Sequence, residues 1–266
     1  MNKTDYECAE IIDDSDEEVI IVPKKNKKIL KSKTPQQILK KYYNEDDKIF
    51  EIGVDEAGRG PLFGRVYTGA VILPKDDTFD HSKMKDSKKF HSKKKIEEVA
   101  EYIKANALAW YVCYEDETTI DEINILQATQ QAMRNSILEV RKQFNKKLSL
   151  SGSEEIRDYN YNLLIDGNYF IPLTILNKKT NKIETIPYTT IEGGDNKYSS
   201  IAAASILAKV ERDKYIDDLC QKNPYLSEYY GIDTNKGYGA KKHLDGIKEH
   251  GITIWHRRSF GICKSY

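Results

Sequence analysis

Two adjacent acids, Asp55 and Glu56, close the alternating apolar run Ile49-Phe-Glu-Ile-Gly-Val54 and are followed by Ala-Gly-Arg-Gly60. Side chains at the C-terminal end of a strand can face a ligand, and the glycines let a bulky phosphate approach the backbone. Asp166 ends a second apolar run, Asn162-Leu-Leu-Ile-Asp166, and Asp195 follows Gly193-Gly194 directly before a helical pattern. Each acid has a structural alternative: a polar turn for the first pair, an Asp-Gly turn for Asp166, a helix cap for Asp195. Three acid sites at element ends shift the balance, because one α/β sheet can bring them together. Two carboxylates about 4 Å apart repel by roughly 4 kcal/mol at an effective dielectric near 20. A divalent cation removes that penalty, and oxygen-only ligands suit magnesium or manganese. A pair of such ions about 3.5 to 4 Å apart can activate water and stabilise the leaving oxygen of a phosphodiester.

The scaffold that must position these acids is legible as alternating strands and helices. The run 49–54 and Val66 to Leu73, rich in β-branched residues, predict a hairpin across a glycine-rich turn. Helical periodicity over 92–106, a strand at 108–114 and a long amphipathic helix over 123–144 follow, then the strand ending at Asp166. Runs at 171–176 and 182–190 flank a polar turn and predict an inserted hairpin; Ser199 to Asp218 has the small and apolar spacing of a buried helix, and 239–249 forms another. Strands first in a hairpin and then alternating with helices predict an α/β domain with a mixed sheet.

Lys+Arg and Asp+Glu both total 42, so net charge neither favours nor excludes a nucleic-acid partner. The charges are segregated, however. Lys83 to Lys95 carries seven lysines against Asp86 alone, and Lys236 to Tyr266 carries seven Lys/Arg against Asp245 and Glu249, so both stretches are either phosphate-facing or simply solvated. Cys8, Cys113, Cys220 and Cys263 have no zinc spacing and read as reduced thiols of a cytoplasmic or nuclear protein; no apolar run is long enough to span a bilayer. Residues 1–47 are glycine-free and charge-segregated, which predicts a disordered extension before a catalytic domain over 48–266. Within the extension, the acidic block beside Val19-Ile-Ile-Val22 resembles a SUMO-interacting motif over residues 13–22, the alternative being a plain tail.

Taken in order, Ile52-Gly-Val-Asp-Glu-Ala-Gly-Arg-Gly-Pro61, Lys85-Asp-Ser-Lys-Lys-Phe90, Asn124-Ile-Leu-Gln-Ala-Thr129, Leu164-Ile-Asp-Gly167, Gly194-Asp195, Ala203-Ala-Ser-Ile-Leu-Ala-Lys-Val210 with Arg212-Asp213, Lys236-Gly-Tyr-Gly239 and His256-Arg-Arg-Ser-Phe260 resemble the ribonuclease HII family. The resemblance covers nearly all of residues 49–262. It implies a ribonuclease H-like fold, a mixed β-sheet flanked by helices, and a four-carboxylate site of Asp55, Glu56, Asp166 and Asp195 holding Mg2+ or Mn2+, with Asp55 and Asp166 shared between the ions. It further implies that Gly58, Arg59 and Gly60 contact the nucleic acid around the ribonucleotide, that Tyr238 reads the RNA-to-DNA step, and that Lys88 or Lys89 contacts a phosphate. The implied reaction is hydrolysis of RNA/DNA hybrids, and of duplex DNA 5′ of an embedded ribonucleotide, leaving 5′-phosphate and 3′-hydroxyl ends. Asn124 to Met133 reads as core, Ser205 and Lys209 as packing or phosphate contacts, Asp213 as an ion-pair residue, and His243 and His256 as surface or supporting residues. Two alternatives stand: a ribonuclease HIII-like enzyme, disfavoured by Gly-Arg-Gly at 58–60 and the lack of a recognisable N-terminal platform domain, and an inactive nucleic-acid-binding member, disfavoured by the presence of all four acids. The chain departs from the bacterial pattern in the long connection between Asp166 and Asp195 and in the N-terminal extension.

Overall fold

The computed structural model describes residues 38–150, 160–177 and 181–266; residues 13–22, with the SUMO-interacting pattern, lie outside them. In chain order the elements are β1 (Ile49–Ala57), β2 (Val66–Ile72), α1 (Lys93–Asn106), β3 (Ala109–Glu115), α2 (Glu117–Leu150), β4 (Asn160–Asp166), β5 (Thr174–Asn177), β6 (Lys182–Thr185), β7 (Tyr188–Ile191), α3 (Ser199–Lys222), α4 (Tyr225–Tyr230), α5 (Ile232–Asn235) and α6 (Lys241–His250). The main sheet has the order β3-β2-β1-β4-β7, antiparallel between its first three strands and parallel from β1 through β4 to β7. This is the expected mixed sheet, with α2 on one face and α1 and α3 on the other.

Period-2 alternation assigns the faces. Ile52 and Val54 of β1, with Leu163 and Ile165 of β4, pack against Met133, Ile137, Val140 and Phe144 of α2. The intervening residues point the other way, so Leu164 packs on Ile201 of α3. α3 can lie against them because its first turns, Ser-Ser-Ile-Ala-Ala-Ala-Ser, are small and buried. Helix and sheet come so close that a Cβ on Gly53 would stand 2.2 Å from the Ser200 carbonyl carbon, and one on Gly69 2.4 Å from Ala204 O.

Two expected elements differ. The runs at 171–176 and 182–190 form the expected hairpin only in part: β5 pairs antiparallel with β6 as a separate two-stranded sheet, while Tyr188–Ile191, read as the end of the second run, joins the main sheet beside β4. Pro187 has no N–H to continue the hairpin ladder, and its carbonyl instead accepts from Leu163 N–H at 2.9 Å, so main-sheet pairing starts there. The long helix begins earlier and is broken at Asn124 (φ 66, ψ 161), whose Oδ1 accepts from the N–H groups of Leu126 and Gln127 and restarts the helix. Beyond the sheet, Phe63, Ile216, Tyr230, Ile232, Ile247 and Cys263 form a smaller core that joins α3 to the C-terminal helices. Among the described residues no helix is long and apolar enough to cross a membrane.

Within the span read as an extension, residues 39–44 make defined contacts with the catalytic domain. Leu39 is buried, Lys40 N–H donates to Lys197 O and Lys40 O accepts from Ser199 N–H at the start of α3, while the Tyr43 and Asn44 N–H groups donate to the buried Glu51 carboxylate. Deleting residues 1–37 keeps all of these contacts and serves as the reference. Deleting 1–44 unburies the Leu39 site and strips Glu51 of donors, a loss of about 3 kcal/mol and roughly 6–12 °C for a domain of this size. Thermal unfolding of the two truncations side by side is the check; equal melting temperatures would show that residues 38–44 contribute nothing.

Candidate active site

Parallel pairing of β1 and β4 sets Val54 opposite Ile165, which places Asp55 and Asp166 at the same level on neighbouring strand ends, both on the α3 face. The third acid is delivered by chain geometry. β7 ends at Ile191, paired with Asp166; the glycines at 193 and 194 turn the chain, and Gly194 N–H donates to Asp166 Oδ1 at 2.6 Å. Asp195 follows at once and is buried, held by Asn196 Nδ2, which donates to Asp195 Oδ1 at 3.1 Å and to Asp86 Oδ2 at 3.2 Å.

The acids feel one another. Burial pushes the Asp55 carboxyl well above the usual range, and the charges of Glu56 and Asp166 add to the rise against hydrogen bonds from Ser205 and from Glu56 N–H. Burial raises Glu56 as well, with Arg59 pulling against it by charge and by a 3.2 Å hydrogen bond and Asp166 pushing it further. Asp195 is raised by burial, then by Asp166 and Asp86. Asp166 thus acts on all three of the others. Lys88 answers from across the cleft: burial opposes its charge, but Asp195, Asp86, Asp55 and Asp166 together hold its pKa up.

Asp55, Glu56 and Asp166 line a cleft of about 480 Å3 together with Gly58, Arg59, Gly60, Lys88 and Tyr238; Lys209, Arg212 and Asp213 of α3 and Lys236 complete its far wall. Of the two candidate lysines, Lys88 faces this cleft, whereas Lys89 Nζ bonds Asn196 Oδ1. Tyr238 is half exposed, and its ring stands over Gly60, where an added Cβ would meet Tyr238 Cε1 at 3.4 Å. Ser205 meets Ser87 Oγ at 3.0 Å, and Asp213 pairs with Lys209 at 2.8 Å.

Among the described residues no three His, Cys, Asp or Glu side chains are gathered into a ready cage for one ion. Arg59 occupies Glu56, and Asn196 occupies Asp195. The donor set nevertheless suits a divalent cation: it is all oxygen, and buried Asp55 carries charge repulsion from two neighbouring acids that a cation would relieve.

Several residues that shape the cleft were not singled out by sequence reasoning. Two buried arginines hold the loop 58–65. Arg257 donates from Nη2 to Gly58 O (2.6 Å), from Nη1 to the Arg59 and Pro61 carbonyls (3.0 and 2.9 Å) and from Nε to Gly64 O (2.7 Å). Arg212 donates to the carbonyls of Arg65, Phe63 and Lys236. Gly58 has φ 93 and passes so close that a Cβ there would lie 2.2 Å from Arg212 Nε, so both its conformation and its bareness are required. Nothing in residue type separates Arg257 from its exposed neighbour Arg258. Of the two readings for His243 and His256, the structure excludes the surface one: both are buried, with their Nε2 atoms 3.0 Å apart.

A family model described as Ribonuclease HII matches residues 52–263. The Ribonuclease HII of Bacteroides thetaiotaomicron is 43% identical over 227 residues, covering 85% of this chain and 95% of its own. Among solved structures, the ribonuclease H2 of Pyrococcus horikoshii superposes with a TM-score of 0.53 at 22% identity, over 81% of this chain and 96% of its own. A manganese complex of Bst-RNase HIII superposes with a TM-score of 0.57 at 16% identity, over 82% of this chain and 68% of its own. At such identities the two structures speak for a shared ribonuclease H-like fold.

Proposed function

The chain belongs to the ribonuclease HII family and is an endoribonuclease acting on RNA/DNA hybrids, and from that premise we propose that it also cuts duplex DNA 5′ of single embedded ribonucleotides, using two divalent ions, magnesium or manganese. The observation that carries the reading is the convergence of Asp55, Glu56 and Asp166 on one cleft beside Gly58–Gly60 and Tyr238, with Asp195 behind Asp166. Asp55, Glu56, Asp166 and Asp195 would hold the ions, which supply a water that ionises at neutral pH and positive charge for the leaving oxygen. The protein supplies the rest. Lys88 and Lys209 set cations on the walls of the cleft for phosphate oxygens, and Arg59, paired with Glu56, sits at the turn of the loop. The backbone of Gly58–Gly60, pinned from behind by Arg257, is bare enough to approach a 2′-hydroxyl, which only groups at the sugar can distinguish from hydrogen. The Tyr238 ring offers a flat face to the neighbouring sugar. Hydrolysis then breaks the bond between phosphorus and the 3′-oxygen, leaving a 3′-hydroxyl and a 5′-phosphate.

The test compares kcat/KM on a duplex with one embedded ribonucleotide and on a long RNA/DNA hybrid, for the wild type and Tyr238→Ala. Aromatic stacking in nucleic-acid sites is worth about 1–3 kcal/mol, or roughly five- to 150-fold in rate. The embedded substrate is expected to lose the full factor and the hybrid less, since a hybrid offers many registers and needs no RNA-to-DNA step. An unchanged ratio would remove Tyr238 from recognition, and failure of the wild type to cut the embedded substrate would remove that activity.

A further inference from the structure

Residues 58–60 and Tyr238 are distant in sequence, and the C-terminal segment is what brings them face to face. Arg257 N–H donates to Leu62 O at 2.9 Å, Leu62 N–H donates to Gly237 O at 2.8 Å, and His256 bridges Phe63, so residues 62–64 are laced between the two. The Arg257 guanidinium fixes the near side through four carbonyls of the 58–64 loop.

The far side is fixed by the histidine pair, whose protons the geometry locates. His243 Nδ1 lies 2.9 Å from Tyr238 O, which can only accept, so that nitrogen carries hydrogen. His256 Nδ1 accepts from Thr253 N–H at 2.9 Å, so its hydrogen is on Nε2. Across the 3.0 Å gap His256 Nε2–H therefore donates to His243 Nε2, and both rings are neutral. The chain of bonds runs in one direction, from Thr253 N–H through both rings to the Tyr238 carbonyl, with Phe63 and Tyr230 packed against the rings. Every ring nitrogen has a partner, which is the condition for a buried polar pair to specify one arrangement.

We propose that His256 and Arg257 are positioning residues for ribonucleotide recognition: acting through His243 and through the 58–64 carbonyls, they set the Tyr238 ring over Gly60, given the recognition role proposed above for those residues. Neither side chain touches the substrate. The effect of His256 on catalysis passes through His243 and Tyr238, that of Arg257 through the Gly58–Gly60 backbone, and this separates them from residues that only hold the fold.

The test is a double-mutant cycle on the full-length protein with magnesium, using the duplex with one embedded ribonucleotide. His243→Phe keeps a ring and removes both bonds, and alone it is expected to lower kcat/KM roughly tenfold. In the Tyr238→Ala background it should cost less than about twofold more, because the ring it positions is gone. Losses that multiply would overturn the proposal and leave the histidines as fold residues. If Tyr238→Ala alone has no effect, the recognition reading fails first and the positioning role falls with it, so the two failures are distinct. Should His243→Phe not fold, the same cycle with His256→Phe, which keeps a ring but loses the bond to His243 Nε2, decides the question. A long-range 1H–15N spectrum at pH 7 reads the relay without substrate: Nδ1-protonated His243 and Nε2-protonated His256 are expected, and a charged ring or the opposite tautomers would overturn it.

Discussion

Asp55→Asn is expected to reduce kcat by roughly a thousandfold or more, on the order of 4 kcal/mol of transition-state stabilisation, while raising the melting temperature of the chelator-treated protein at neutral pH. Both effects come from one charge. Asp55 is buried beside Glu56 and Asp166, with Ser205 and Glu56 N–H as hydrogen-bond donors. Asparagine keeps the acceptor oxygen and the shape but removes an anion that a divalent ion needs as a ligand. Without metal that anion is a liability, since burial and then its neighbours raise its pKa. The sign follows from linkage. A carboxyl whose folded pKa exceeds its unfolded value, near 3.9 for Asp, imposes no penalty below the unfolded pKa, an increasing one as pH rises between the two values, and the full one above the folded pKa. The stabilisation by Asp55→Asn should therefore be greatest at neutral and alkaline pH and vanish toward pH 3. Near-normal turnover at saturating magnesium would exclude Asp55 as a ligand. A melting temperature that falls equally at every pH would show that the substitution acts by damaging the fold.

Gly53→Val should unfold the protein or come close to it. The added carbon atoms would run into Ser200 C and O and Ile201 N, at 2.2, 2.3 and 2.6 Å from the Cβ position, and this is helix backbone that cannot swing aside as a side chain can. α3 would have to lift from the middle of the sheet, away from Leu164, Val71 and the small residues that seal the contact. A loss of about 3 kcal/mol or more is expected, which for a domain of this size is at least roughly 6 °C in melting temperature. Cleavage should fall further than stability accounts for, because the same helix brings Ser205 to Asp55 and Lys209 to the cleft. A variant that melts within 2 °C of the wild type, by circular dichroism in the same buffer, would show that the helix-to-sheet spacing is not set at Gly53.

Alternation and turn residues were sufficient for the mixed sheet. Ile49 to Val54, Val66 to Leu73 and Asn162 to Asp166 carry their burial pattern locally, and each observed strand begins and ends within a few residues of its expected limits. Asp55, Glu56 and Asp166, which the fold gathers at one cleft, also stood out by type and place at strand ends, whereas Asp195 does not line that cleft, and the ordered motifs lead to the same family that the comparisons identify. The inserted hairpin was legible, but its second run was read as one strand because Lys182 to Thr185 and Tyr188 to Ile191 have similar local character; that the latter leaves the hairpin depends on the vacant edge of β4, a partner that local pattern does not encode.

The cleft's geometry was less legible for the same reason. Parallel register between β1 and β4 puts Asp55 level with Asp166, and one hydrogen bond from Gly194 N–H draws Asp195 toward them, although the acids come from separated parts of the chain. Arg257 and Arg258 are identical in type and adjacent, yet the first is sealed among four carbonyls while the second lies outside, its backbone N–H held by Asp121, three residues before the break at Asn124. His243 and His256 read as surface or supporting residues, and the sequence could not choose, because a histidine in a basic stretch is normally solvated; the bonds with Thr253, with Tyr238 and between the two rings make their burial tolerable. Residue type and spacing determined which groups could do the chemistry. Which of them meet, and which polar groups may enter the core, was decided by partners that only the folded chain supplies, because the free energy of a buried polar group depends on whether every donor and acceptor finds its match.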